Sequence, residues 1–187
     1  MKKLYSITIL FLINLIFFTT PTFANTTISL SNPNEKITQN IPFEITVNIT
    51  STDNTLGTDL VLQYNPDVLK LNSVTPGSVY PNFSNLENLL TNGTLHISGA
   101  SDFSKGTIPN GLFATISFTS LKSKSTQISV AYDPTDSSLT GVIPFEGNET
   151  NLLNQTPQSL EISINKQNFF SKIKYFFIQL FSRFFNK

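Results

Sequence analysis

The feature that most constrains this chain is a strict two-residue alternation. In Pro42–Thr50 (PFEITVNIT), Phe43, Ile45, Val47 and Ile49 fall on one side and polar residues on the other. Successive side chains of a strand point to opposite faces, so such a run buries one face and wets the other. The β-branched residues suit a pleated, half-buried surface. The pattern returns in Thr58–Tyr64 (Leu60, Leu62, Tyr64), Val68–Val74 (Leu69, Leu71) and Thr94–Ser98 (Leu95, Ile97). It returns again in Leu112–Thr119 (Leu112, Ala114, Ile116, Phe118), Thr126–Tyr132 (Ile128, Val130, Tyr132) and Leu160–Ile164. Turn chemistry separates these runs: Asn65-Pro66-Asp67, Pro76-Gly77, Asn92-Gly93, Asn110-Gly111 and Asp133-Pro134. Many short strands with turns between them and no long helical period predict an all-β antiparallel sandwich or barrel. Residues 79–91 and 134–158 are loop-rich, with room for one short strand each.

Both ends of the chain differ from this body. Lys2 and Lys3 precede an apolar run from Ile7 to Phe18, and Thr22-Phe23-Ala24 supplies small residues for cleavage. This is the form of a secretory signal peptide over residues 1–24. The run is too short for a comfortable transmembrane helix of roughly 20 residues, although an uncleaved anchor is the alternative. The expected location is outside the cell or on its surface. With no cysteine in the chain, an exported body over 25–165 has no disulfides and is held by its core alone.

Charge divides the same way. Asn25 to Asn165 carries five lysines and twelve acids, a balance of −7, whereas residues 166–187 carry four lysines, one arginine and no acid, a balance of +5. An acidic body does not suit nucleic acid, whose phosphates need a basic footprint. The basic tail suits an anionic surface. Within it Phe169, Phe170, Ile173, Phe176, Phe177, Leu180, Phe181, Phe184 and Phe185 recur in steps of three and four. One apolar helical face with lysines opposite predicts an amphipathic helix lying in a membrane interface. Self-association and packing on the body are the competing readings.

Two segments carry a family resemblance. Gly57-Thr-Asp-Leu-Val-Leu-Gln-Tyr-Asn-Pro-Asp-Val-Leu-Lys-Leu71, followed by Ser73-Val-Thr-Pro-Gly77, resembles the cohesin domain. There a strand ending in Tyr-(Asp/Asn)-Pro leads to a Val-Leu pair and a second strand ending near Pro-Gly. Gly111-Leu-Phe-Ala-Thr-Ile-Ser-Phe118 is similar to a further strand of the family, and Gly99-Ala-Ser-Asp102 to its short strand end and acidic loop. The likeness spans roughly residues 26 to 165. It implies a flattened jelly-roll sandwich of about nine strands. It also implies a non-catalytic module that binds dockerin modules, which hold their own calcium; some relatives of the superfold bind polysaccharide instead. The family's binding face includes an Asn-x-Asp motif. Here Asp59 matches the Asp, Gly57 stands in place of the Asn, and Ser101 stands where some members have an acid.

The partner-binding candidates are therefore Asp59, Gln63, His96 and Ser98 on one sheet face, with Ser101 beside them. Should the ligand be a glycan, the stacking candidates are the loop aromatics Tyr80, Phe83 and Phe103. No catalytic residue, metal or cofactor is expected. His96 is the sole histidine, so it has no second imidazole for a metal site or a Ser-His-Asp arrangement. Asp133 and Asp136 flank a turn, where aspartates are normally structural. The spaced acids, glycine and closing glutamate of a calcium loop are missing, so the chain reads as the receptor and not the dockerin.

Overall fold

The computed structural model describes residues 26–33, 36–87, 93–146, 151–168 and 173. It is a sandwich of two sheets. The first contains β1 (Thr27–Ser31), β3 (Pro42–Thr50), β8 (Asn110–Ser120) and β5 (Leu69–Pro76), in the order β1-β3-β8-β5. The second has the order β11-β9-β4-β7-β6, from β11 (Leu160–Ile162), β9 (Thr126–Val130), β4 (Thr55–Tyr64), β7 (Thr94–Ala100) and β6 (Asn82–Glu87). β10 (Gly141–Pro144) joins the second sheet by pairing with the start of β4, while β9 pairs with its end. These pairings are antiparallel. A short parallel pair, β2 (Ile37–Thr38) with β12 (Ile164–Asn165), closes one end. β6 and β10 are the short strands allowed for in the two loop-rich segments.

The inward residues of β3 are those the alternation marks: Phe43, Ile45, Val47 and Ile49 are buried. They meet Leu60, Leu62, Leu95, Ile97, Ile128 and Val130 from the opposite sheet in one core. Phe118 is fully buried, near-parallel to Phe43 at 6.1 Å and edge-on to Tyr64 at 5.1 Å. The turn after β4 is capped as its sequence implies. Asn65 accepts the amide of Asp67 on Oδ1 (2.9 Å) and the amides of Val68 and Leu69 on its carbonyl.

β8 departs from its alternation. Val47 pairs with Ala114 but Asn48 pairs with Leu112, which leaves Phe113 as an extra residue. This β-bulge turns Phe113 inward beside Ala114 and leaves Leu112 only half-buried, where strict alternation predicts Leu112 inside. The displaced ring fills the space above Gly99, whose absent Cβ would lie 2.5 Å from it.

The signal segment, and with it the tail residues Phe169, Phe170, Phe176, Phe177, Leu180, Phe181, Phe184 and Phe185, lie outside the described residues. Ile173 is helical and 41% exposed. Among the described residues no helix is long and apolar enough to cross a membrane.

Candidate protein-binding face

Register places the candidates. Across β4 and β7, Asp59 pairs with Ser98, Val61 with His96 and Gln63 with Thr94. Leu60, Leu62, Leu95 and Ile97 point into the core, so Asp59, Gln63, His96 and Ser98 share the outer face of the second sheet. Four of the five protein-binding candidates thus come together. Ser98 Oγ donates to Asp59 Oδ1 at 2.5 Å, which fixes both side chains. Gln63 is exposed and His96 is half-buried.

Ser101 does not join them. It is fully buried, and its amide and Oγ both donate to the carbonyl of Leu56, at 2.8 and 2.9 Å. Its hydroxyl satisfies a backbone group at a break in β4, where Leu56 is the extra residue between Thr55, paired with Pro144, and Gly57, paired with Ile143.

The aromatic candidates separate as well. Tyr80 is 5% exposed. Its ring lies edge-on to Phe113 at 5.9 Å, and its hydroxyl bonds Thr55 Oγ1 and Thr58 Oγ1 at 2.8 and 2.9 Å. Burial holds its phenol above the ordinary value, with the two threonines pulling the other way. A ring so enclosed has no face for a sugar, so Tyr80 is a core residue. Phe83 also packs inward, on Phe113 at 5.9 Å. Phe103 alone of the three is open, at 74% exposure. Tyr80→Phe should cost about 1–3 kcal/mol by leaving the buried Thr58 hydroxyl without that bond; urea unfolding measures it.

The turn carrying Phe103 is well braced. Asp102 Oδ1 accepts the amide and hydroxyl of Ser104, at 2.9 and 2.7 Å, and Asn54 Nδ2 donates to the Lys105 carbonyl at 2.8 Å. Gly106 completes the turn at φ +65°, a conformation glycine adopts at little cost. Phe103 is therefore presented to solvent by a turn built to hold it there.

The loop from β9 to β10 borders the face on the other side. Asp133 accepts the amide and hydroxyl of Thr135, and Asp136 those of Ser138. These bonds hold both carboxyls below the ordinary 3.8, with the Thr135 amide leading for Asp133 and the Ser138 hydroxyl for Asp136. A carboxyl with a lowered folded-state value stabilises above its ordinary value and loses that effect as pH falls through the lowered one. Protection of the Thr135 and Ser138 amides from hydrogen exchange should therefore hold at pH 5 and fall on acidification below about pH 4.

Two residues that the sequence pattern does not mark complete the face. Ile143, 39% exposed, sits opposite Gly57, and Leu56 fills the bulge beside it. Leu56, Ile143 and Phe103 border a hollow of about 360 Å3, which adjoins a trough of about 650 Å3 under Pro134–Ser137. The sequence signal for Ile143 is faint, because its segment is short and its partner strand is distant in the chain. Among the described residues no three histidine, aspartate or glutamate side chains gather where they could hold a metal ion.

The fold and this face define a two-sheet sandwich module with an apolar surface patch edged by carboxylates. The chain belongs to the cohesin domain family, whose model matches residues 24–164. No curated protein matches it. Among solved structures it is similar to the cohesin module of a Clostridium perfringens family 33 glycoside hydrolase, with 18% identity and TM-score 0.57, covering 78% of this chain and 99% of that one. It is also similar to a chain of a type I cohesin–dockerin complex from Clostridium thermocellum, with 15% identity and TM-score 0.60, covering 79% and 99%. A non-cellulosomal cohesin from the archaeon Archaeoglobus fulgidus shares 18% identity at TM-score 0.56, covering 76% and 92%.

Proposed function

We propose that this chain is an exported, non-catalytic cohesin module that binds a dockerin-type protein module through the outer face of β10, β4, β7 and β6. The observation that carries this reading is the joint presence of exposed apolar side chains (Phe103, Ile143) and the fixed Asp59–Ser98 pair on one sheet face. Interface centres combine apolar anchors with a few placed polar groups. Complexes with dockerin among the similar structures support the choice of partner. The polysaccharide reading loses support from the burial of Tyr80 and the inward packing of half-buried Phe83 on Phe113, which leave Phe103 as the one open ring of the three candidates where a stacking platform needs a row.

The geometry of the C-terminal exit supports display on a membrane. Asn165 accepts the amide of Gln39, Gln39 Nε2 donates to the Leu121 carbonyl, and Leu121 N–H donates to the Val68 carbonyl beside the Asn65 turn. The chain thus enters its basic tail at the Tyr64 end of β4, about 23 Å from Gly57 at roughly 3.3 Å per residue. A tail seated on a membrane there leaves the Phe103 end pointing away from it.

Calorimetric titration of the full chain with dockerin modules encoded in the same genome tests the reading. Binding should occur with one of them, and Asp59→Lys should weaken it about tenfold or more, a loss of ~1.4 kcal/mol. Failure of every such dockerin, with a saturable response to cellulose or another glycan, would contradict it.

A further inference from the structure

One row across the outer face is unusual in its side chains. Ile143, Gly57, Ala100 and Asn82 pair in sequence from β10 through β4 and β7 to β6. Its two central members are the smallest available, and they form the floor of the 360 Å3 hollow. The floor cannot easily be raised from within, because a Cβ at Gly57 would lie 2.6 Å from the Gly99 carbonyl oxygen. Phe103 and Ile143 stand over this floor in the open. Exposed apolar groups around a concavity mark a contact site.

Charge restricts the occupant. Asp59 lines both the hollow and the trough, Asp136 lines the trough, and among the described residues no lysine or arginine lines either one. Asp102 adjoins Phe103, and the nearby Lys105 is in a 3.9 Å ion pair with it. An apolar floor with acidic edges is complementary to an apolar group flanked by cations. The exposed lining of the hollow is mostly apolar, and of its polar side chains (Thr58, Asp59, Asn82, Ser84 and Ser98) Ser98 already donates to Asp59 and Thr58 already bonds Tyr80. A sugar, which needs many hydrogen-bond partners, fits poorly.

We infer that the hollow is an anchor subsite for a branched aliphatic side chain of the protein partner, carried beside a lysine or arginine that pairs with Asp59. The inference rests on the dockerin reading for the partner's identity but not for its chemistry.

Isopentylamine joins a branched alkyl group to a cation and serves as the probe, titrated into the isotopically labelled full chain and followed by amide shifts. Saturable shifts are expected at Gly57, Ser98 and Ala100. They should weaken at least threefold with Asp59→Asn and with Phe103→Ala, the latter at an exposed site where folding is undisturbed. Isovalerate, of the same shape and opposite charge, should bind at least threefold more weakly. Absence of saturable amine shifts, equal binding of isovalerate, or stronger shifts at these amides with cellobiose would each overturn the inference. A dockerin that binds with affinity unchanged by Phe103→Ala and Ile143→Ala would overturn the anchor subsite and leave the dockerin reading standing. Amine binding at these amides without binding of any dockerin would do the reverse.

Discussion

Phe118→Ala is expected to remove about 3–5 kcal/mol of folding free energy, the range for truncating a buried phenylalanine. Phe118 is fully buried near the C-terminal end of β8, with Phe43 on one side and Tyr64 on the other. β8 pairs with both β3 and β5, so its neighbours cannot close in without breaking register on two sides. Domains of this size hold only about 5–15 kcal/mol in all. With no cysteine there is no cross-link to support a weakened core. Urea unfolding should show a much lower midpoint with an unchanged slope. A loss below about 1 kcal/mol would mean that Phe118 is not the packing centre described.

Ending the chain at Asn165 is expected to abolish its binding to vesicles containing phosphatidylserine while leaving the sandwich folded. Among the described residues, Ile164 is the last buried one and Asn165 the last in a strand, so the cut spares the described core and sheets. What it removes is the alternating apolar and basic tail. Partial burial of its nine large apolar side chains has a gross value on the order of 10 kcal/mol before the cost of ordering a helix. Each basic residue near anionic lipid adds about 1 kcal/mol. Residues 25–165 carry a net charge of −7 and are repelled by the same surface. Flotation of both forms with vesicles measures the effect. If the shortened chain floats equally well, the tail is not the anchor. If only the oligomeric state changes, the tail joins copies of the chain.

Much of this architecture is legible in the sequence, and the misses have definite causes. β3 is readable because one sheet face is buried along its whole length, so Phe43, Ile45, Val47 and Ile49 show the period without interruption. β8 is misread at one point, since a bulge shifts the phase at Phe113 and alternation carries no mark of where phase shifts. β6 and β10 are short and partly exposed, too weak to show a period.

The site divides along the same line. Asp59, Gln63, His96 and Ser98 follow from strand phase alone, and the structure places all four on one outer face. Ser101 and Tyr80 lie among polar residues and read as surface. Both are interior, because Ser101 satisfies the Leu56 carbonyl and Tyr80 finds two threonine hydroxyls across the chain. Such pairings depend on tertiary contacts that no local pattern encodes. Ile143 is missed for a related reason: its value lies in facing Gly57, a neighbour 86 positions away in the numbering.

Hydrogen exchange mapped on the complex with a bound dockerin tests the whole account at once. Slowed exchange should be confined to residues 56–63, 82–84, 96–103 and 141–144, with the hydroxyl-rich outer face of β1, β3, β8 and β5 unchanged. Protection on that second face instead, with Asp59 and Phe103 left open, would show that the partner uses the other side of the sandwich.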